Sequence, residues 1–254
     1  MNLNDLNEWD HRATLAINGS ESLFWDNVMS IITNTFAWTL LMVVLLVIIF
    51  RNNTLKRGFT ILVVMALMMV FADMICSGLV KPTVARWRPT QDPQLMYLID
   101  VVDDYRGGRF GFFSGHACNS FSMAMFLSWL FRYGKLTIVL FVWSSITTFT
   151  RLYLGVHFLG DILVGLTCGC LFGSIFYFFL SRLLKNTDEV KLISVQFTPT
   201  GYLKSDLNMF MAVIFLIIYV LLYWRYITEY RNLGHFRIRI VEANTECIFN
   251  KLWN

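Results

Sequence analysis

Charge is what this chain of 254 residues has least of. Only 15% of its residues are Asp, Glu, Lys or Arg, while 56% are hydrophobic and the mean hydropathy is +0.56. A soluble domain of this size carries about a quarter charged residues, so the composition is that of an integral membrane protein. A broad basic face is also missing. The formal charge of +4 comes from short basic clusters between apolar runs, which argues against nucleic acid as a partner. The five cysteines (Cys76, Cys118, Cys168, Cys170 and Cys247) show no C-x-x-C spacing, and they read as small buried hydrophobes rather than a disulfide or zinc framework. No cleavable signal peptide is visible, because the first 19 residues are polar. Neither is there an inverted repeat with paired broken helices, as many transporters have.

What the chain does have is six apolar runs, near Ile31–Phe50, Phe59–Val80, Ser114–Phe131, Leu136–Leu154, Phe158–Leu184 and Leu207–Tyr223. Crossing a hydrocarbon core of about 30 Å takes about 20 helical residues, so each run is a candidate span. The expected fold is an all-α integral membrane six-helix bundle. Glu21–Ser30 adds apolar residues at helical spacing around Asp26 and Asn27. It reads as an N-terminal amphipathic interfacial helix or as a helix packed on the bundle. The expected divisions are an interfacial segment over 1–30, a six-span domain over 31–228 and a C-terminal tail over 229–254. Within the tail, Phe236–Ile240 alternates apolar and basic residues and is open between a short strand and a surface-bound segment.

Basic residues follow the first run (Arg51, Lys56, Arg57), the third (Arg132, Lys135) and the fifth (Arg182, Lys185), which makes those connections cytoplasmic by the positive-inside rule. The connection from Lys185 to Asp206 is then a cytoplasmic loop. The opposite face receives the N-terminal segment, the 81–113 connection, the junction between the fourth and fifth runs, and the tail. Yet Lys81, Arg86, Arg88, Arg106 and Arg109 also lie on that face, so those charges have a use other than topology.

Three short stretches meet there. Lys81-Pro82-Thr83-Val84-Ala85-Arg86-Trp87-Arg88-Pro89 packs three cations and two prolines at a helix end. Alone, it is equally a snorkelling basic collar. Phe112-Phe113-Ser114-Gly115-His116 opens a span whose free N–H groups favour an anion; alone, it is a Ser cap followed by an incidental histidine. Thr150–Asp161 sets Arg151, His157 and Asp161 inside apolar sequence, where a charge is costly without a task. On a helix, His157 and Asp161 would share one face, roughly 6 Å apart along the axis. A carboxylate there accepts a hydrogen bond from one imidazole N–H and leaves the other nitrogen nucleophilic. Arg151 is suited to a pair of phosphate oxygens.

Lys-x6-Arg-Pro, Ser-Gly-His and Arg-x5-His-x3-Asp each occur once, in that order. From Lys81 to Asp161 the chain thereby resembles the type-2 phosphatidic acid phosphatase superfamily, membrane lipid phosphatases related to vanadium haloperoxidases. The resemblance implies a phosphate cradle of Lys81, Arg88, Ser114, Gly115 and Arg151. It implies His157 as nucleophile, Asp161 as its orienting acid, and His116 as the acid and base that protonates the leaving oxygen and then activates water. It also implies a phosphohistidine intermediate, no metal and no cofactor. Phe113 stands where the family commonly has proline, and Thr150 where it commonly has serine; both departures bear on substrate fit. Arg86 matches no signature position and reads as a supporting or headgroup contact. Asp73, two turns before Lys81, is expected to face the bundle interior and bond a neighbouring span. Trp25, Trp87, Trp129, Trp143 and Trp224 read as interfacial anchors.

The family acts on lipid A phosphates, undecaprenyl diphosphate, phosphatidylglycerol phosphate and phosphatidic acid. The segment Arg109–Ser120 is similar to bacterial members, which favours an envelope lipid, lipid A or undecaprenyl diphosphate, in a bacterial inner membrane with the site facing the periplasm or exterior. Two rivals stand beside this reading. A two-histidine, one-carboxylate metal site on His116, His157 and Asp161 is opposed by three fixed cations that would repel a divalent ion. A non-catalytic anionic-lipid binding or transport protein leaves the His-x3-Asp pair without a role.

Overall fold

The computed structural model describes the backbone over residues 3–20, 22–184 and 195–252, and side chains as far as 228. Among the described residues the chain is all-helical, with nine α-helices and no strand beyond two isolated bridges. They are α1 (Leu3–Leu15), α2 (Leu23–Ile32), α3 (Thr39–Asn52), α4 (Leu55–Asp73), α5 (Lys81–Val84), α6 (Gly115–Phe131), α7 (Gly134–Tyr153), α8 (Leu159–Leu184) and α9 (Lys204–Leu252). A π-helical turn, Met74–Val80, joins α4 to α5 so that Leu55–Val84 runs on as one 30-residue rod. Among the described residues five helices are long and apolar enough to cross a membrane: Thr35–Asn52, Leu55–Val84, Gly134–Tyr153, Leu159–Leu184 and Lys204–Thr228. Helix α6 has the same apolar character but only 17 residues.

The sequence accounts for where these helices start and stop. Thr54 and Ser114 cap α4 and α6, each hydroxyl accepting a backbone N–H three residues on, at 3.4 Å from Arg57 N and Ala117 N. Arg132 closes α6 in the left-handed conformation (φ 48°), which lets the chain reverse into α7. Helix α8 carries Gly165, Gly169 and Gly173 four residues apart, on one face. A Cβ at these positions would stand 2.6, 2.5 and 2.5 Å from the carbonyl oxygens of Ser114, Cys118 and Ser122. The two backbones therefore touch, as small residues permit in membrane helices. That contact fixes the start of α6 against the start of α8, where two of the three motifs lie.

The interior is an apolar cluster from α2, α3, α4, α6, α7, α8 and α9, including Leu45, Ile48, Met68, Phe126, Leu180 and Phe210. Outward-facing Val47, Val63, Leu67, Leu171, Ile175 and Phe178 are exposed, as lipid contact requires. At one end of the bundle Asn52 donates to Asp206 (2.9 Å), Asn53 to Tyr202 (2.9 Å) and Thr200 to the Phe131 carbonyl (3.1 Å). The 81–113 connection, α1 and the α7–α8 junction gather at the other end. This separation matches the two sides expected from the charge pattern.

Several expectations change. Asp73 does not face the interior: it is exposed, and its carboxylate accepts from Ser77 at 3.0 Å within its own rod. A partner one turn along the same helix suffices, so no neighbouring span is needed. Trp143 is buried against Trp38, with ring centroids 5.3 Å apart, because α7 turns that face inward; it is not an interfacial anchor. Phe236–Ile240 is helical, since α9 continues through it. Residues 185–194 of the expected loop, and the side chain of Cys247, lie outside the described residues.

Candidate functional site

The connection between α5 and α6 folds back on itself. Trp87 and Phe110 form an antiparallel bridge, with Arg88 N donating to Arg109 O (3.2 Å) and Gly111 N to Arg86 O (2.9 Å). Alternation along this short ribbon turns Trp87 outward, under the Arg109 guanidinium at 4.5 Å, and Arg86 and Arg88 toward the α7–α8 junction. Gly111 must be small: a Cβ there would lie 2.9 Å from Asp161 Oδ2 and 3.3 Å from Arg88 Cγ.

His157 and Asp161 meet, but not along one helix as their spacing suggested: His157 lies in the α7–α8 junction and Asp161 in the first turn of α8. His157 Nδ1 is 3.4 Å from Asp161 Oδ2, and the same oxygen accepts the Phe158 N–H at 3.1 Å. On the other side of the ring, Nε2 lies 3.3 Å from Arg88 Nη1. A guanidinium only donates, so this contact requires an unprotonated Nε2 and leaves the ring proton on Nδ1, toward Asp161. That is the tautomer a nitrogen nucleophile needs. Burial, then the charges of Arg88, Arg151 and Lys81, hold the His157 imidazole well below its usual range, so it is neutral.

Arg88 is fixed further by Phe110 O (3.2 Å) and Val156 O (3.1 Å), and Gly107 (φ 67°) packs over its guanidinium. Arg151 is 2% exposed. It donates to Thr33 Oγ1 (2.7 Å) and to the Tyr105 hydroxyl (3.0 Å), while its buried Nε–H has no partner among the described residues. An unpaired buried guanidinium N–H is an opening for an anion. Lys81 Nζ approaches the start of α6, 3.7 Å from where a Cβ on Gly115 would stand. Ser114 is buried as the α6 cap, and its N–H donates to the Asp161 carbonyl at 3.0 Å, tying two motifs together. His116 is exposed, within electrostatic reach of Lys81, Arg88, Arg151 and His157. All eight residues named from the sequence thus converge on one end of the bundle.

Of the two departures from the family pattern, Phe113 is buried beside Ala72, Cys76 and Cys118, and its carbonyl accepts from Cys76 Sγ at 3.1 Å. Thr150 spends its hydroxyl on the Thr147 carbonyl (2.7 Å), inside its own helix. Four contacts were not foreseen: Thr33 and Tyr105 on Arg151, Gly107 over Arg88, and Asp10 on Arg86. Arg86 itself bonds Asp161 Oδ1 (2.8 Å) and Asp10 Oδ2 (2.7 Å), which makes it a support of the site.

Several known proteins share sequence or fold with this chain. The model of the PAP2 superfamily matches residues 61–185, which include all three motifs. A lipid A 4'-phosphatase of Bacteroides thetaiotaomicron is 38% identical over 179 residues, 70% of this chain and 80% of that protein. The chain belongs to the PAP2 superfamily. A lipid A 4'-phosphatase of Porphyromonas gingivalis is 30% identical over 170 residues, 67% of this chain and 72% of its own length. The PAP2-type phosphatidylglycerolphosphate phosphatase of Bacillus subtilis has the same fold. Its crystal structure superposes with a TM-score of 0.52 at 22% identity, covering 74% of this chain and 90% of that one. The buried arginines around a neutral histidine give the site a positive field that attracts an anion and repels a divalent cation.

Proposed function

We propose that this chain is a membrane lipid phosphatase that removes a phosphate from lipid A by way of a phosphohistidine. Membership of the PAP2 superfamily and two lipid A 4'-phosphatases among its relatives support the reaction class and favour lipid A over undecaprenyl diphosphate and glycerolipids. The observation that carries the mechanism is the contact of His157 Nε2 with Arg88 rather than with a proton of its own.

A phosphate entering between Arg88, Arg151, Lys81 and the start of α6 takes the donors now turned toward His157. The three cations spread the charge that develops on its equatorial oxygens, and the Ser114 hydroxyl and Gly115 backbone add hydrogen bonds. His157 Nε2 forms a bond to phosphorus as the bond from phosphorus to the sugar oxygen breaks. His116, which takes up a proton once the bound phosphate offsets the surrounding cations, gives that proton to the leaving oxygen. Asp161 holds the Nδ1 proton throughout and balances the cationic ring. His116, now neutral, takes a proton from water, whose oxygen attacks phosphorus and breaks the N–P bond. Inorganic phosphate leaves and both histidines return to their starting states.

For this chemistry we take α6 as a sixth span, its 17 residues beginning below the surface at the site. Residues 1–30 then lie at the interface, 31–228 form the catalytic domain and 229–254 extend from it. Basic connections at the opposite end favour an inner-membrane orientation with the site toward the periplasm. Phosphate release from purified lipid A, compared with undecaprenyl diphosphate, phosphatidylglycerol phosphate and phosphatidic acid, tests the reading. Release that survives EDTA, stops with vanadate and is lost in His157→Ala is the expected result. Normal turnover by His157→Ala, or loss on chelation restored by metal, refutes it.

A further inference from the structure

The first two N–H groups of α8 are satisfied from the far end of the chain. Thr14 Oγ1 accepts from Leu159 N at 3.1 Å, and Asp10 Oδ1 accepts from Gly160 N at 2.8 Å. A helix start left without acceptors is unstable, and a carboxylate at that end also complements the dipole. Helix α1 thus caps the helix that carries Asp161. Its His11 ring stacks on Phe158 at 4.9 Å, while the Arg86 guanidinium sits over the same ring at 4.2 Å. The link is close enough to restrict Gly160, where a Cβ would lie 2.8 Å from Asp10 Oδ2.

Asp10 does more than cap. It is buried, and both its oxygens are used, one on Gly160 and the other on Arg86. Arg86 divides its fork between Asp10 and Asp161, whose other oxygen faces His157. An unbroken chain of contacts therefore runs from Asp10 through Arg86 and Asp161 to the ring that attacks phosphorus. We infer that Asp10 is a positioning residue for the hydrolytic reaction. It holds Arg86 in a bidentate bridge, so that Asp161 keeps its orientation and enough negative charge to support His157 as the ring becomes cationic. With Asp10 neutral, Arg86 is compensated by Asp161 alone. The charge available to His157 is then weaker in the transition state than in the resting enzyme, which slows turnover without loosening substrate. The inference rests on the phosphohistidine reading above.

The experiment uses the full-length protein in detergent, with phosphate release from lipid A measured for the parent and for Asp10→Asn, Arg86→Gln, the double variant and His157→Ala. Asp10→Asn keeps an acceptor for Gly160 N but removes the negative charge that faces Arg86. A hydrogen bond to a charged group is worth enough that kcat is expected to fall about 10- to 100-fold, with KM within about twofold of the parent. Because Asp10 acts through Arg86, the double variant is expected to lose no more than Arg86→Gln alone, whereas independent structural damage would multiply. Gly160→Ala, which drives Asp10 off by steric contact, supplies the same kcat loss if Asp10→Asn does not fold. The positioning role is overturned if the parent turns over and His157→Ala is dead while Asp10→Asn and Gly160→Ala retain the parent kcat. It is overturned too if the losses from Asp10→Asn and Arg86→Gln multiply. Parent and His157→Ala giving equal release would instead bring down the phosphohistidine reading, and this inference with it.

Discussion

Arg88 Nη1 lies 3.3 Å from His157 Nε2, a permanent cation against the atom that would attack phosphorus. The same guanidinium is anchored by the Phe110 and Val156 carbonyls, so it cannot follow the ring as a flexible side chain would. A phosphate bound in line with Nε2 must therefore share Arg88 with it, and the guanidinium is already oriented when the charge develops. Removing such a preorganised donor typically costs about 10²–10³ in kcat, and Arg88→Ala is expected to lose at least that much. Arg88→Lys should recover only a small part, because one ammonium cannot meet two carbonyls, a phosphate and the ring together. Steady-state phosphate release on the three proteins checks this. Near-parental turnover by Arg88→Lys would mean that charge alone matters.

Gly111 and Gly108 stand three residues apart in the same connection and should behave in opposite ways. A methyl group at Gly111 meets Asp161 Oδ2 at 2.9 Å and Arg88 Cγ at 3.3 Å, whereas at Gly108 it meets nothing within 4 Å. Gly111→Ala is expected to reduce turnover at least about tenfold by pushing apart two groups whose placement matters to a few tenths of an ångström. Gly108→Ala should stay within about twofold of the parent and within a degree or two in Tm. Turnover and thermal unfolding of both variants read this out together.

How far these contacts were legible in the sequence depends on their range. The His157–Asp161 pair was legible as two neighbours in sequence, although not by a shared helix face: His157 lies in the α7–α8 junction, and Asp161 in the first turn of α8 reaches back over the helix start to it and to the Phe158 N–H. The convergence of Lys81, Ser114 and Arg151 was legible through topology, since each lies at a span end on the same side. Helices α3, α4, α6, α7 and α8 and the first part of α9 followed from apolar runs long enough to recognise, whereas the four-residue α5 and the continuation of α9 to Leu252 did not. Asp10 was not legible: it lies 76 residues from Arg86 in a short polar helix, and no local pattern joins them. Tyr105 stood in an aspartate-rich loop that gave no periodicity. Asp73 misled because a lone carboxylate in an apolar run suggests an inward partner, while Ser77 one turn on meets the same need.

The neutral state of His157 has a consequence for stability. Burial, with Arg88, Arg151 and Lys81 around it, lowers the ring's affinity for a proton in the folded protein, and the Asp161 carboxylate, 3.4 Å away, does not offset them. The unfolded chain's histidine titrates near about 6.5, so below that pH the unfolded state binds more protons than the folded one. The sign follows directly. This group's contribution is fully present above about pH 6.5 and is lost as the pH falls below it. Thermal unfolding in detergent should show Tm falling from pH 7 to pH 5, with a smaller fall for His157→Gln, which cannot titrate. Identical slopes for the two proteins would assign the acid sensitivity to other groups.

Tyr105 offers the sharpest separation between holding substrate and turning it over. Its hydroxyl accepts a hydrogen bond from Arg151 Nη2 at 3.0 Å, and its ring lies 5.4 Å from the Arg151 guanidinium carbon. Burial alone would raise the phenol's pKa, but the hydrogen bond from Arg151 and the charges of Arg151 and Arg88 outweigh it and lower the value. The hydroxyl is thus part of the arginine's surroundings rather than a bystander on the surface. Tyr105→Phe keeps the ring and removes the acceptor, freeing a second edge of an arginine whose Nε–H has no partner among the described residues. Arg151 then loses orientation rather than charge, so phosphate is bound in more than one pose. A hydrogen bond to a charged group is worth about 1.5–3 kcal/mol, which corresponds to a fall in kcat/KM of about 10- to 100-fold. If Arg151 holds the phosphate in ground and transition states alike, as proposed above, most of that loss should appear as a raised KM, with kcat changed less. Tyr105→Ala should exceed Tyr105→Phe by removing the ring contact as well. Should Tyr105→Phe lower kcat with KM unaltered, the hydroxyl acts on the transition state itself, and the tyrosine would join the groups that touch the transferring phosphoryl.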